Sequence, residues 1–221
     1  LGKLSPSKTI IVAGFKKELV INLSKTLNYK NLNFVVQKEQ LGTGDAVKKA
    51  ASSLDNKSIA LIMNGDTPFV DEGTINQALS QYRKTKSVFT IATTKPSSPF
   101  GYGRILRDND GQILDIVEEK DCDDKQKLIK EVNAGLYLIA TDYLKKFVKK
   151  IKKNKNSEYY LTDLVNIFVR NGLRVDSVPI KDERKFININ TFDDYREAHN
   201  LDKMFIYCLL YTSPSPRDPW K

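Results

Sequence analysis

Short apolar runs alternate along the chain with stretches that are apolar at helical spacing, and this alternation constrains the fold more than any other feature. "KTIIVAG" (8–14) precedes an amphipathic stretch from Phe15 to Leu27, and "NFVVQ" (33–37) precedes one from about Asp45 to Leu54. "SIALIMNGD" (58–66) is apolar nearly throughout, as a strand covered on both faces would be, and it precedes the helical pattern "TINQALSQYRK" (74–84) and the extended run "SVFTIATTK" (87–95). Strand followed by helix, repeated, implies an α/β fold of Rossmann-like type: a mostly parallel mixed sheet with helices on both faces.

The rhythm changes after Lys95. A turn at Asp108–Gly111 between two extended runs predicts a hairpin. "EVNAGLYLIAT" (131–141) reads as a strand, and Thr141 or Asp142 as the cap of the basic helix behind it. "YYLTDLVNIFVRNG" predicts a helix ending at Gly172, "RVDSVPI" a strand, and the residues after the N-cap Thr191 a last helix. Residues 1–203 form one partial domain on this reading. The tail "IYCLLYTSPSPRDPWK" breaks the pattern, with Pro214, Pro216 and Pro219 close together, and residues 204–221 read as adapter-derived or frameshifted sequence outside the domain.

Charge narrows the function classes. The net charge of +9 admits nucleic acid, a membrane surface or small anions as partners. In the densest basic stretch, "KKFVKKIKKNK" (145–155), Phe147, Val148 and Ile151 join Leu144 at helical spacing, which makes an amphipathic helix with a wet basic face. The one aromatic residue in that stretch, Phe147, falls on the apolar side and none interleaves the basic face, so neither a nucleic-acid nor a membrane partner is expected. Apolar runs fall far short of the roughly 20 residues a membrane span needs. The two cysteines, Cys122 and Cys208, sit in no motif, which fits a reducing, cytoplasmic setting. The single histidine, His199, lies among charged residues on the last predicted helix, so no Ser-His-Asp or Cys-His arrangement can be assembled around it.

Several positions carry candidate chemistry. Gly42 and Gly44 in "EQLGTG" stand between a strand and a helix, where they either let a ligand approach the backbone or form a plain turn, and Thr43 adds a hydroxyl at the helix start. Asp66 follows a strand at its carboxyl end, where α/β sheets place their sites, and is either a ligand for Mg²⁺ with phosphates or a turn cap before Pro68. Gly103, Glu118 and Asn133 border extended runs, and Asn188 stands between two isoleucines; each is a binding group or an ordinary turn or surface residue.

In order along the chain, "VVQKEQLGTGDAV", "NGDTPF", "GYGRILRD", "IVEEKD", "EVNAGLY" and "EYYLTDL" resemble the uridylyltransferase half of the bacterial bifunctional enzymes that make UDP-N-acetylglucosamine, over about Thr9 to His199. The resemblance implies transfer of UMP from UTP to N-acetylglucosamine 1-phosphate, with pyrophosphate leaving. It implies that Gln37, Gly42 and Thr43 read the uracil edge and that Asn64, Gly65 and Asp66 line the ribose and metal site. Asp66 and Asn188 would be the catalytic pair, holding Mg²⁺, while Gly103, Glu118 and Asn133 would hold the sugar phosphate. That pairing requires Asp66 and Asn188 to lie within about a dozen ångströms of each other.

Departures accompany the resemblance. The family's Gly-rich loop, with its Arg and Lys, and its first strand, which lies mid-sheet, have no counterpart here, so two neighbouring strands are expected to keep open edges. Asn64 stands where an aromatic residue is usual. Fragment status implies negligible activity for the chain alone, and a homotrimer only in a full-length parent carrying the family's β-helical half. Other sugar-1-phosphate nucleotidyltransferases share the reaction, and a catalytically silent regulatory protein on the same fold is the alternative from another class.

Overall fold

The computed structural model describes residues 4–26 and 31–201, so Cys208, the tail and the expected domain limit at 203 lie outside the described residues. Two sheets form. In the smaller, β1 (Thr9–Ala13) and β2 (Leu32–Val36) pair in parallel, with Thr9 opposite Leu32, joined by α1 (Lys17–Thr26). The larger has six strands: β3 (Ile59–Met63), β4 (Phe89–Thr94), β5 (Arg104–Arg107), β6 (Ile113–Val117), β7 (Val132–Ala140) and β8 (Val175–Pro179). β7 is antiparallel to β3, β4 and β5, whereas β4 and β8 are parallel. It follows that β3, β4, β5 and β8 run one way and β6 and β7 the other, a mixed sheet with one prevailing direction.

Alternation along the central strands assigns the helices to faces. Phe89 and Ile91 of β4 and Tyr137 and Ile139 of β7 point to one side, where they meet α5 (Thr141–Phe147) and α6 (Asp163–Arg170) through Leu144, Phe147, Leu164 and Phe168. Ala92, Leu136 and Leu138 point to the other, against Ile75 and Ala78 of α3 (Glu72–Thr85). Phe168 meets Phe89 and Phe147 edge-on at centroid distances of 5.7 and 5.2 Å. Each fully buried side chain of this size contributes roughly 1.5–3 kcal/mol of transfer free energy.

Helix starts show which local signals hold. The Asp71 carboxylate accepts from Thr74 N at 2.9 Å and caps α3. The Thr191 hydroxyl accepts from Asp194 N at 3.1 Å, capping α7 (Phe192–Leu201) as expected. Thr141 and Asp142 do not cap α5: the Thr141 hydroxyl faces Ser58 and Asp142 accepts from Lys57 N, which ties the helix start to the beginning of β3. The basic stretch has the expected faces, with Leu144, Phe147, Val148 and Ile151 buried and most of its lysines exposed, but it is not one helix: α5 ends at Phe147, a 3-10 turn spans Val148–Lys150, and residues 151–155 are not helical. Among the described residues no helix is long and apolar enough to cross a membrane.

One expectation needs correction. β3 is not covered on both faces: Ile59 is 40% exposed and Leu61, Ile62 and Met63 are half-buried. The reason is topological. Among the described residues β3 pairs only with β7, and β1 only with β2, and both strands face a cleft of about 1180 Å³ with no strand between them. This is where the resemblance places the strand ahead of β1.

Candidate active site

β7 carries two strands on one edge. β3 pairs with its second half, Leu136–Ala140, while β5 meets it at Val132. Between those contacts, around Asn133, Ala134 and Gly135, the edge opens into the cleft. The register of the β4–β7 pair also shifts here, between Ile91 and Thr93, so the sheet is irregular where the site forms.

Asn64 follows the carboxyl end of β3. Its Nδ2 lies 3.0 Å from where a Cβ on Gly135 would stand, and Gly135 has φ +74°, so a side chain there would be strained by the backbone and would press on the Asn64 amide. The Asn133 amide is oriented from both ends: Nδ2 donates to the Tyr137 hydroxyl at 2.7 Å and Oδ1 accepts from Gly135 N at 3.1 Å. Burial pushes the Tyr137 hydroxyl far above the ordinary tyrosine range, so it stays protonated.

Across the opening, the Glu118 Oε1 accepts from the Thr162 hydroxyl at 2.8 Å, and burial raises its carboxyl above the usual range. A Cβ on Gly103 would stand 2.9 Å from Ile116 and 3.3 Å from the Glu118 Oε2, so this glycine is required by packing against β6. The loop 101–103 is held from behind by Arg104, which is 2% exposed, bonds to the Tyr102 carbonyl and pairs with Glu119 at 2.5 Å. The Tyr102 hydroxyl donates to the Phe186 carbonyl at 3.0 Å, joining that loop to the segment that leads to Asn188.

Asp66 lies beside the same segment. Ile189 N donates to the Asp66 carbonyl at 2.9 Å, so residues more than 120 positions apart are in backbone contact and the separation condition on Asp66 and Asn188 is met. The Asp66 Oδ1 is buried with no hydrogen-bond partner, and burial holds its carboxyl above the usual carboxylate range. An unpartnered, desolvated carboxylate oxygen, on a residue in backbone contact with the segment that carries Asn188, fits a hard divalent cation that draws its other ligands from phosphates and water. Among the described residues no group of three or more His, Cys, Asp or Glu side chains is placed to hold a metal, so the protein ligands would be this pair.

Gln37 follows β2 and donates to the Gly42 carbonyl just ahead of α2 (Thr43–Ala51). What approaches the two loop glycines most closely is the chain itself. Gly44 N donates to the Tyr159 carbonyl at 2.8 Å, Tyr159 N donates to Leu41, and Leu161 N donates to the Thr43 hydroxyl. A Cβ on Gly42 would stand 2.5 Å from that Tyr159 carbonyl, and Gly42 has φ +97°. The loop–helix junction is thus fastened to residues 159–161.

All the residues expected at the site border this one cleft except Asp66, whose carboxyl is buried beside it. Four further residues belong with them: Tyr102, Tyr137, Tyr160 and Thr162 also line the cleft, and the last two lie in "EYYLTDL", a motif to which the sequence alone assigns no residue role. Lys8 is the only lysine or arginine among the described residues lining the cleft, and it pairs with Asp55 at 2.8 Å. His199 is an exposed rim residue stacked on Tyr195.

A family model described as nucleotidyl transferase matches residues 5–204. A probable UDP-N-acetylglucosamine pyrophosphorylase of Acanthamoeba polyphaga mimivirus is 38% identical over 207 residues, 91% of this chain and 81% of that protein. The bifunctional GlmU protein of Streptococcus mutans is 38% identical over 189 residues, and the match spans 85% of this chain but only 40% of the GlmU protein. In fold the chain is similar to HddC from Yersinia pseudotuberculosis, at TM-score 0.64 and 18% identity over 90% of this chain and 80% of that one. It is also similar to a UDP-glucose pyrophosphorylase complexed with UDP-glucose, at TM-score 0.66 and 17% identity over 87% and 79% of the two chains.

Proposed function

The chain belongs to the nucleotidyl transferase family, and from that premise we propose that its full-length parent transfers UMP from UTP to N-acetylglucosamine 1-phosphate, in the cytoplasm and with Mg²⁺. The observation that carries the reading is the backbone contact between Asp66 and Ile189, which sets the buried Asp66 carboxyl beside the segment from which Asn188 borders the cleft. Gln37, Glu118 and Asn133 line the same cleft. Relatives named for UDP-N-acetylglucosamine supply the choice of sugar.

An oxygen of the sugar 1-phosphate attacks the α-phosphorus of UTP, a P–O bond forms, and the bond to the β-phosphate breaks, so pyrophosphate leaves with its electron pair. No protein nucleophile and no obligatory proton transfer enter that balance. The chain's task is alignment. The Glu118 carboxylate, fixed by Thr162, accepts from sugar hydroxyls, and the oriented Asn133 amide accepts through Oδ1 and donates through its second Nδ2 hydrogen. Gln37 meets the base, and Asp66 and Asn188 would hold the cation. A bound divalent cation supplies charge neutralisation between two polyanions.

The only lysine or arginine lining the described cleft is engaged by Asp55, which supports the reading that this chain alone turns over negligibly. The test is pyrophosphate release by the full-length protein across a panel of sugar 1-phosphates and nucleoside triphosphates. The expected result is highest kcat/KM for UTP with N-acetylglucosamine 1-phosphate. Preference for glucose 1-phosphate or dTTP would move the protein to another member activity, and no release with any pair would leave the regulatory alternative.

A further inference from the structure

We propose that Asp45 is a positioning residue that sets base specificity, by locking the Gln37 side-chain amide so that only its carbonyl oxygen faces the cleft. The proposal rests on the reading of Gln37 as the base-facing residue. Gln37 and Asp45 are both buried, at 5% and 7% exposure, although Gln37 borders the cleft. The Gln37 Nε2 donates to the Gly42 carbonyl at 3.1 Å and to the Asp45 Oδ2 at 2.8 Å. An amide nitrogen has two hydrogens, and both are taken.

The two partners are a carbonyl and a carboxylate, which accept and do not donate. Flipping the amide would set its oxygen against two oxygens and leave both acceptors without a donor, so the orientation follows from the chemistry of the partners. Lys49, one turn further along α2, bonds to the same Asp45 Oδ2 and supplies the counter-charge. Asp45 also lies in the first turn of α2, where the helix amides favour a negative charge. Among the described hydrogen bonds none reaches the Gln37 Oε1, so an acceptor is what this side chain has left to offer.

An acceptor that cannot turn discriminates by chemistry. Uracil and thymine present a ring N3–H, which donates to Oε1. Cytosine presents a ring nitrogen lone pair at that place and meets it oxygen to nitrogen, with no hydrogen between. The device therefore admits dioxo-pyrimidines and refuses cytosine. It does not separate uracil from thymine, whose extra methyl lies elsewhere on the ring.

The test is steady-state kinetics of the full-length protein with UTP and CTP, for wild type, Asp45→Asn and Asp45→Ser, with thermal midpoints recorded. Asn and Ser can each donate as well as accept, so either frees Gln37 to present its NH₂. The UTP-to-CTP ratio of kcat/KM is expected to fall roughly tenfold or more, through a higher KM for UTP and a lower one for CTP, with kcat for UTP little changed. Lys49→Met, which leaves the carboxylate facing the amide, should keep the ratio. A uniform rise in KM for both nucleotides, or an equal loss in Lys49→Met and Asp45→Asn, would make Asp45 merely structural and overturn the proposal while leaving the uridylyltransferase reading intact. If wild type makes no UDP-sugar, that reading fails first, and the Asp45 proposal with it.

Discussion

At Asp66 a buried carboxylate oxygen has no partner, and burial raises the carboxyl above its ordinary value. The folded state therefore binds this proton more tightly than the unfolded chain, so ionising Asp66 costs stability as pH rises through the folded pKa, and the cost vanishes below the unfolded value. Asp66→Asn should accordingly raise the thermal midpoint of the metal-free protein near neutral pH and abolish the rise that a divalent cation produces in wild type. Differential scanning in chelator and in Mg²⁺ reads both, and a variant that still responds to the cation would remove Asp66 from the metal site. In turnover, Asp66→Ala should lower kcat by about 10²- to 10³-fold, with modest change in UTP binding. Asp163 is a second raised carboxyl, pushed up to about 6 by burial and by Asp115, Glu118 and Asp121 nearby. By the same sign, Asp163→Asn should stabilise the protein above pH 6 and lose that advantage as pH falls toward the ordinary value of 3.8, which urea midpoints across that range would follow.

Among the elements, the junction of loop 41–44 and α2 is the one whose sequence signal and structural reason differ most. Gly42→Ala places a Cβ against the Tyr159 carbonyl in a left-handed backbone, so it should destabilise by about 1–3 kcal/mol and loosen the Gln37 end of the cleft. A denaturation midpoint equal to wild type would contradict that reading. The glycines were legible as a place of close approach, but the approaching group was not, because Tyr159 is brought there by the fold from more than 110 residues away. The Thr191 cap and the hairpin were legible because their partners lie within a few residues. Asp45 shares the motif "VVQKEQLGTGDAV" with Gln37, but its role is not legible there, because its effect exists only once strand end and helix start are folded together. The half-buried state of β3 could not be read from apolarity, which reports what a strand can cover and not what covers it.

For the whole molecule, the alternation of strands and helices delivers a mixed sheet in which β7, inverted between β3 and β4, carries two strands on one edge and opens the cleft between them. Both half-sheets contribute, β2 through Gln37 and β3 through Asn64 to Asp66, and the segment before α7 closes the site with Asn188. The central claim is that Asp66 and Asn188, from distant parts of the chain, hold one divalent cation between two phosphate-bearing substrates. Mn²⁺ binding to the full-length protein in the presence of UTP, followed by electron paramagnetic resonance, tests it most directly. Asp66→Ala and Asn188→Ala should each weaken Mn²⁺ binding, and the double variant should lose little more than the worse single one, as ligands of a shared ion do. Undiminished Mn²⁺ binding in either single variant, or fully additive losses in the double, would contradict the account.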